Sequence, residues 1–394
     1  MNTETRRDGT VQLADWWEDL LWPRVMASAA LGIRPSRIGL VFFGMVAALV
    51  VLWVGHELDR LVGKTGMPGP MAAVARGEGP HTALWQVIVT YPVMCVTSMP
   101  FTTALLVLVV LPIKVVTAGA VSRMAAVEFA RGEFVPWTEA VGYSLRRMGS
   151  LLGAVLGPLV AVWLIALVLA AGGFVLLNWP YVNVVGGVLY GLALLLGMAA
   201  SLIGVVYIAG NLMLVPAVAC DGADAVDAIQ RAYAYTLDRP VRLVLYLVLA
   251  AIGLGIALLI LVVLVGAGIG VAYAGAGWWL GERAQAMLLH GTVSVVPGLG
   301  DAVPAPEGSY KAGSWLISLW TMIPVYGVLA CALSCGVSCA TVVYLAMRRI
   351  CDGQDTSELW MPGEIEGVMQ VSLSGRAAEV RVSAAGPTDV DDEL

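Results

Sequence analysis

Five long runs without any charged side chain or histidine constrain this chain more than any other feature. They cover residues 38–55, 82–113, 148–220, 243–281 and 312–347. A helix that crosses a bilayer needs about 20 mostly apolar residues. Each run can therefore hold one span, and the run from 148 to 220 must hold two. The sequence predicts six transmembrane helices, and its 59% hydrophobic and 13% charged residues are far from the composition of a soluble domain.

The predicted fold class is all-α: a polytopic membrane helical bundle of six transmembrane helices with cytoplasmic interfacial amphipathic helices. Three prolines in the second run predict a kink there and a helix that continues to Arg131. The segments around 56–82 and 276–313 are predicted to be loops. The predicted spans cover residues 38–55, 84–113, 150–176, 184–214, 241–274 and 315–347.

Two connectors between spans have the helical spacing of apolar residues. In the segment 224–239, one predicted face carries Val226, Ile229, Ala232, Tyr233 and Leu237, and the opposite face carries Asp224, Asp227, Arg231 and Asp238. The segment 136–148 has the same character, with Trp137, Ala140, Val141, Leu145 and Met148 on one side and Tyr143 on the other. Both are expected to lie in the lipid interface.

The chain divides into three predicted parts. Residues 1–37 form a cytoplasmic segment with an interfacial helix rich in tryptophan at about 10–31. Residues 38–350 form the six-span domain with its two interfacial helices. Residues 351–394 form an acidic cytoplasmic tail, expected to be largely disordered. No cleavable signal peptide is predicted, because no compact apolar stretch precedes residue 38.

The distribution of lysine and arginine predicts the orientation. Segments on the side of the N-terminus carry 17 of these residues and the opposite loops carry 5. The positive-inside rule then puts both termini in the cytoplasm, and the predicted location is a plasma membrane of the bacterial inner-membrane type.

The net charge of −6 is concentrated in the tail, where ten acidic residues stand against two arginines. This balance predicts no nucleic-acid partner. The expected partners are membrane lipids and a protein bound through the cytoplasmic helices or the acidic tail.

The two connectors also predict an internal repeat. Span two, the helix at 136–148 and span three match span four, the helix at 224–239 and span five. The predicted register aligns Glu139-Ala-Val141 with Asp227-Ala-Ile229. The first helix of each unit crosses the membrane from outside to inside. The two units would therefore be related by an axis along the membrane normal.

The second connector also carries a family resemblance. Asp221-Gly222, Ala228-Ile-Gln-Arg-Ala-Tyr233 and Thr236-Leu-Asp-Arg239 precede an apolar run. This pattern resembles the six-span membrane domain attached to some bacterial glycerophosphodiester phosphodiesterases and to related inner-membrane proteins. The resemblance covers about residues 110–350, with Cys-Asp-Gly where Glu-Gly is usual and Ala232 where serine is common. The activity of that family sits in a separate soluble barrel, so the resemblance implies an architecture and no catalysis.

Three groups of residues invite a chemical interpretation. The stretch 262–272, with Gly266, Gly268 and Gly270, superficially suggests a dinucleotide fingerprint, but Val271 stands where the third glycine is needed. In a charge-free run these glycines, with Gly253 and Gly255, are typical of close helix packing. Cys331, Cys335 and Cys339 lie on one stripe and fit either a soft metal or small-residue packing.

The three histidines, His56, His81 and His290, fall on the outer side in the predicted topology. They form either a weak exoplasmic metal or proton-sensing site or unrelated interfacial histidines, and no H-x-x-H spacing is present. No catalytic residue, cofactor site or metal site is therefore predicted.

The functional prediction is a non-catalytic multi-pass membrane protein acting as a scaffold, subunit or lipid-organising partner. The alternative is a channel or permease for a small neutral or lipidic solute. The apolar runs contain no ionisable residue, and such residues usually mark an ion path, so an ion-coupled transporter is disfavoured.

Overall fold

A computed structural model describes residues 21–64, 91–295, 304–356 and 358–360. These residues are 87% helical and include no β-strand. Six helical segments are long and apolar enough to cross a membrane, which confirms the all-α membrane bundle. The helices are α1 (Leu21–Ala27), α2 (Ala29–Gly32), α3 (Pro35–Leu61), α4 (Tyr91–Ser98), α5 (Pro100–Leu105), α6 (Leu111–Arg131), α7 (Trp137–Arg146), α8 (Met148–Leu177), α9 (Val182–Asp221), α10 (Ala225–Asp238), α11 (Pro240–Gly277), α12 (Glu282–Val293) and α13 (Ser309–Cys351).

The second span is interrupted, as its prolines predict. Met99 leaves the helical conformation between α4 and α5, with φ −140° and ψ 65°. A π-helical turn, Leu106–Val110, then joins α5 to α6. A π-turn breaks the regular i to i−4 hydrogen bonding, and here it lies just before Pro112, whose ring supplies no N–H. The predicted continuation of this helix to Arg131 is confirmed.

The six spans form three helical hairpins with matching ends. The first helix of each hairpin begins directly after an arginine, and the second is followed by a glycine in the left-handed conformation. A left-handed glycine is a common way to end an α-helix. These arginines are Arg34, Arg147 and Arg239, and the glycines are Gly132, Gly222 and Gly353. We call the end of the bundle where these residues lie the arginine-rich end.

The two short helices α7 and α10 bury the same pattern of residues. In α7 the buried side chains are Ala140, Tyr143 and Ser144, and in α10 they include Ala232, Tyr235 and Thr236. Each buried hydroxyl also faces a glycine of the preceding span, Gly119 for Ser144 and Gly210 for Thr236. The repeat pattern is therefore present in the secondary structure and packing.

The predicted register of that repeat is wrong. The burial pattern aligns Ala140 with Ala232, so the sequences that correspond are Ala-Val-Gly-Tyr-Ser-Leu-Arg-Arg147 and Ala-Tyr-Ala-Tyr-Thr-Leu-Asp-Arg239. The acidic residues chosen from the sequence lie on the exposed side, where the spacing is not constrained by packing.

The predicted apolar face of α10 packs on the bundle only in part. Ala232 is buried, Ile229 packs on the core and the Tyr233 hydroxyl donates to the Ile203 carbonyl, whereas Val226 and Leu237 are 66% and 60% exposed. Small and hydroxyl-bearing residues outside that face, such as Thr236, also allow α10 to lie close against its neighbours α8, α9, α11 and α13.

The hydrophobic core lies at the arginine-rich end. It contains Leu214, Val218, Leu243 and Met347, each with at most 1% of its surface exposed, together with side chains of α1, α2, α8 and α10. Outside this core, the long helices differ in the fraction of their apolar stretches that is buried. The apolar stretches of α8, α9 and α11 therefore present a large surface that the described residues do not cover.

Helices α1 and α2 pack tightly against two spans. A side chain added at Gly253 of α11 would come within 2.2 Å of the Met26 carbonyl oxygen, and one added at Gly32 would come within 2.3 Å of the Cys335 Cα. Only glycine permits these backbone contacts. The sequence predicted a packing face of five glycines in α11, but nothing lies within 4 Å of a side chain added at positions 255, 266, 268 or 270.

One further prediction is wrong, and two others fall mostly outside the described residues. Helix α12 lies inside the segment predicted as a loop at 276–313 and packs on α13, so that prediction is wrong over Glu282–Val293. Most of the N-terminal tryptophan-rich segment, at 10–20, and most of the tail, at 361–394, lie outside the described residues.

Candidate functional site

Asp221 is the centre of a buried polar network at the arginine-rich end. It is the last residue of α9, and its side chain is 7% exposed. One carboxylate oxygen accepts a hydrogen bond from Arg348 of α13. The other accepts from Tyr344 of α13 and, at 3.0 Å, from Arg231 of α10. One carboxylate therefore joins three helices, α9, α10 and α13.

A second aspartate completes a crossed arrangement. Asp352 follows α13 and accepts a hydrogen bond from the Tyr235 hydroxyl of α10. The rings of Tyr235 and Tyr344 lie side by side, with centroids 5.9 Å apart. Asp221, at the end of α9, thus bonds a tyrosine of α13. Asp352, just after α13, bonds a tyrosine of α10, the helix that follows Asp221. Burial, followed by the bond to Asp352, raises the pKa of Tyr235, because both favour its neutral form.

The residues after α13 fold back onto this network. The second guanidinium nitrogen of Arg348 donates to the backbone carbonyl of Asp355 at 3.0 Å and to that of Glu358. Leu359 is 4% exposed and belongs to the hydrophobic core. The first part of the predicted tail is therefore ordered against the bundle end rather than extended from it.

A second pair of helices is joined in the same way by Arg123 of α6. Its guanidinium donates to the carbonyl of Ala219 at 3.1 Å and lies 4.9 Å from the centre of the Tyr143 ring. Tyr143 in turn donates to the Val218 carbonyl at 2.9 Å. Burial raises the pKa of Tyr143. Both acceptors are carbonyl groups in the last turn of α9, where intrahelical partners run out, and the Val218 carbonyl also accepts from the Gly222 backbone N–H at 3.1 Å.

We call each of these groups of polar contacts a node; the first is centred on Asp221 and the second on Arg123. A third node joins the first two spans. Glu128 of α6 accepts hydrogen bonds from Arg34 at the start of α3 and from Arg37 in its first turn. Arg37 also donates to the carbonyl oxygens of Leu31 and Met124, and it is 2% exposed. The expectation that no ionisable residue is buried in a span fails at the helix ends, because the helices extend beyond the charge-free runs.

A cleft of about 410 Å³ lies beside these nodes. Its two sides are formed by α9 and α11, and its floor by α13 with one residue of α6. No charged residue lines it. Asn211 of α9 has the only amide side chain in the lining, and no hydrogen bond to that side chain is found among the described residues.

At the opposite end of the bundle, the described residues include one buried carboxylate, that of Asp59. Asp59 of α3 is fully buried and accepts hydrogen bonds from the backbone N–H groups of Phe101 and Thr102, at 3.0 and 2.9 Å. Those groups belong to the first turn of α5, where a negative charge is favourable. Asp59 therefore caps the helix that restarts after the interruption at Met99.

The structure does not bring the sequence-predicted candidates together as ligands. Cys331 and Cys335 are buried with their sulfurs 3.8 Å apart, while Cys339 accepts a hydrogen bond from Ser28 of the α1–α2 segment. His290 bonds Ser314 at 2.7 Å, and His81 lies outside the described residues. Within the described ranges, no three His, Cys, Asp or Glu side chains are grouped as a metal site would require.

Comparison with known proteins found no match, whether to a protein-family model, to a curated protein or to a solved structure.

Sequence reasoning missed the network around Asp221. Each of its aspartates stands in the triplet Cys-Asp-Gly, at 220–222 and again at 351–353. That repeated triplet is a signal in the sequence itself. It could have marked the two helix ends as equivalent, although it does not reveal which tyrosines reach them.

Proposed function

We propose that this protein is a non-catalytic multi-pass membrane protein that acts as a scaffold, subunit or lipid-organising partner in a bacterial-type inner membrane. One observation carries the proposal. In each of the spans α8, α9 and α11, the described part of the chain buries only 6% of the most apolar stretch. A surface of this kind is covered by lipid or by another membrane protein.

The role of the buried charged residues supports a structural interpretation. Asp221, Glu128 and Asp59 accept their hydrogen bonds from groups on neighbouring helices, and these bonds hold helix ends together. Carboxylates that are bonded in this way fix an architecture. The resemblance to the six-span phosphodiesterase-linked domain stays a prediction that points in the same direction.

We place α7 and α10 in the lipid interface on the cytoplasmic side. Trp137 and Leu145 of α7 are more than half exposed, as are Val226 and Leu237 of α10. Such residues can enter the headgroup boundary or a protein partner, while the opposite face of each helix stays packed on the bundle. The acidic tail offers a second surface for a partner.

The proposed orientation is tested with reporter fusions. A reporter that is fluorescent only in the cytoplasm is fused after residue 394 and, in a second chain, within 296–303. We expect fluorescence only from the first fusion. Fluorescence from the second alone would reverse the orientation.

The proposed function is tested by mild extraction of the protein from its own membrane, followed by native mass spectrometry. A stoichiometric protein partner, or a phospholipid that stays bound, is the expected result. A lone chain without either, together with solute flux in reconstituted vesicles, would overturn the proposal.

The alternative is a channel or permease for a small neutral or lipidic solute. The interrupted second span favours it, because helices broken near a capping group such as Asp59 occur at transport sites. The test measures the efflux of neutral solutes from vesicles that contain the protein. Flux that Asp59→Asn abolishes, with Glu57→Asn as the matched exposed control, would favour the alternative.

A further inference from the structure

The cleft between α9 and α11 has the shape of a site for one hydrocarbon chain. Along α13 its lining runs from Ala332 to Val343, which is about 17 Å at 1.5 Å per residue. That length, with a volume of about 410 Å³, suits one extended hydrocarbon chain.

The lining has the chemistry of a lipid site. It contains no charged residue, and Leu212 and Leu333 keep about half of their surface exposed, 49% and 48%, although they line the cleft. Their exposed surface is apolar area that a hydrocarbon chain would remove from water or from looser packing. At Gly336, in the floor, nothing lies within 4 Å of an added side chain, so the space above it is open.

The position of the cleft along the helices matches one leaflet and its interface. Trp315 near the start of α13 is 65% exposed and suits one interface. For a helix along the membrane normal, Ala332 is then about 26 Å and Val343 about 42 Å from Trp315. A bilayer has a hydrocarbon core of about 30 Å and measures about 40–45 Å with its headgroups. The cleft thus runs from the acyl chains to the headgroup level on the arginine-rich side.

Asn211 has the position expected of a headgroup or ester contact. It lies ten residues, or about 15 Å, before Asp221, whose carboxylate bonds Tyr344 and Arg348 of α13. On the scale set by Trp315, Asn211 is therefore about 29–35 Å deep, at the inner edge of a hydrocarbon core about 30 Å thick. An amide exposed among apolar side chains is costly unless it finds a hydrogen-bond partner. Ester carbonyl oxygens of a glycerolipid lie at that level and can accept from the Asn211 amide nitrogen.

We infer that the cleft between α9 and α11 binds one acyl chain of a glycerophospholipid, with Asn211 bonded to the ester region of that lipid. The inference deepens the proposed lipid-organising function and rests on it. Helix α10 joins α9 to α11 at the arginine-rich end, and its Arg231 bonds Asp221. A bound lipid would therefore be held beside the network of Asp221.

The experiment uses the full chain in phosphatidylcholine nanodiscs that contain a small fraction of phosphatidylcholine with a photoactivatable diazirine in one acyl chain. After irradiation, peptide mass spectrometry locates the labelled residues. We expect labels on the cleft side of α9, α11 and α13, at positions such as Leu212, Leu254 and Leu333. Equal labelling of the outward faces of these helices would mean that only annular lipid is present, and this would overturn the inference.

Two variants with matched controls sharpen the test. Gly336→Leu fills the cleft, and because it displaces about two methylene groups we expect about tenfold lower labelling. Gly327→Leu on the same helix also projects into open space, outside the cleft, and should label as the parent does. Asn211→Leu should move the label along the cleft, whereas Asn183→Leu at the other end of α9 should not. Unchanged labelling in Gly336→Leu would overturn the inference.

The outcomes separate the inference from the proposed function. A stoichiometric protein partner with no cleft labelling would refute the lipid site and leave the scaffold function standing. A partner peptide cross-linked inside the cleft would likewise refute the lipid site. Cleft labelling accompanied by lipid transfer between vesicles would instead refute the scaffold function and favour the permease for a lipidic solute.

Discussion

The arginine-rich end and the rest of the bundle bury their helices to very different extents. In α13, which crosses the core, 67% of the most apolar stretch is buried, while the corresponding stretches of α8, α9 and α11 are 6% buried. At the arginine-rich end, buried arginines bond to carboxylates and carbonyls of neighbouring helices. The other region presents apolar surface that the described residues leave exposed. The same helices thus pack together at the arginine-rich end and present apolar surface to the membrane along the rest of their length.

The largest expected effect comes from removing the charge at the centre of the network. Asp221→Asn leaves buried Arg348 without its counter-ion, and breaking a buried pair in this way costs about 3–5 kcal/mol. The control is Asp227→Asn, which removes the exposed partner of Arg231, at 3.6 Å, and should cost about 0–1 kcal/mol. Thermal unfolding in detergent measures both. Equal effects would mean that the buried network does not hold the bundle end together.

A matched pair of leucines compares the two regions directly. Leu214 of α9 is fully buried and Leu264 of α11 is 68% exposed. Leu214→Ala should lower the free energy of unfolding by about 2–5 kcal/mol. Leu264→Ala should change it by less than about 0.5 kcal/mol. If denaturation in mixed micelles gives similar values for the two variants, the core is not confined to the arginine-rich end.

Two glycines of α11 test the attachment of α1. Gly253→Ala places a methyl group within 2.2 Å of the Met26 carbonyl oxygen, and we expect a loss of about 1–3 kcal/mol. Gly255→Ala meets nothing within 4 Å and should be neutral or slightly stabilising. Protease accessibility of the N-terminal segment provides a second measurement. A protected segment in Gly253→Ala would contradict the packing described for α1.

The smallest effect is a dependence of stability on pH. The pKa of Tyr235 is raised by burial and by the bond to Asp352, so the neutral hydroxyl stabilises the folded state. That contribution is fully present below the unfolded pKa of about 10 and is lost as pH rises above it. Tyr235→Phe should cost about 1 kcal/mol at neutral pH and should reduce the fall in stability above pH 10. Tyr181→Phe, at a residue that is 90% exposed, serves as the control, and an equal change there would refute the role of Tyr235.

The sequence predicted the number of spans, the kink in the second and the continuation of α6 to Arg131, because apolar length and proline act locally. It predicted the packing faces of α7 and α10 only in part. There a small or hydroxyl-bearing residue can lie against a close neighbour, as Thr236 does against Gly210, while a larger one such as Leu237 faces outward. Protein and lipid are both apolar surroundings for these helices. Hydrophobicity alone therefore does not show which side chains pack on the bundle and which face the lipid.

The network around Asp221 could not be predicted from spacing for a different reason. Its partners Arg231, Tyr344 and Arg348 come from two other helices, and the contact with Arg348 depends on how α13 lies against α9. The predicted spans also miss the network. Each predicted span ends where the charged residues begin, whereas the helix itself continues through those charged residues.

The crossed bonds between the two Cys-Asp-Gly helix ends set an order of events during biosynthesis. Tyr344 follows Asp221 by 123 residues. At about 5–20 residues per second, the ribosome needs about 6–25 s to make that stretch. Until the last span is inserted, Arg231 of α10 is the one cation of the described residues that pairs with Asp221, and α9 and α10 lack their bonds to α13. A nascent chain that stalls before α13 therefore exposes an unfinished helix end, which gives cellular quality control a means of distinguishing incomplete from complete copies.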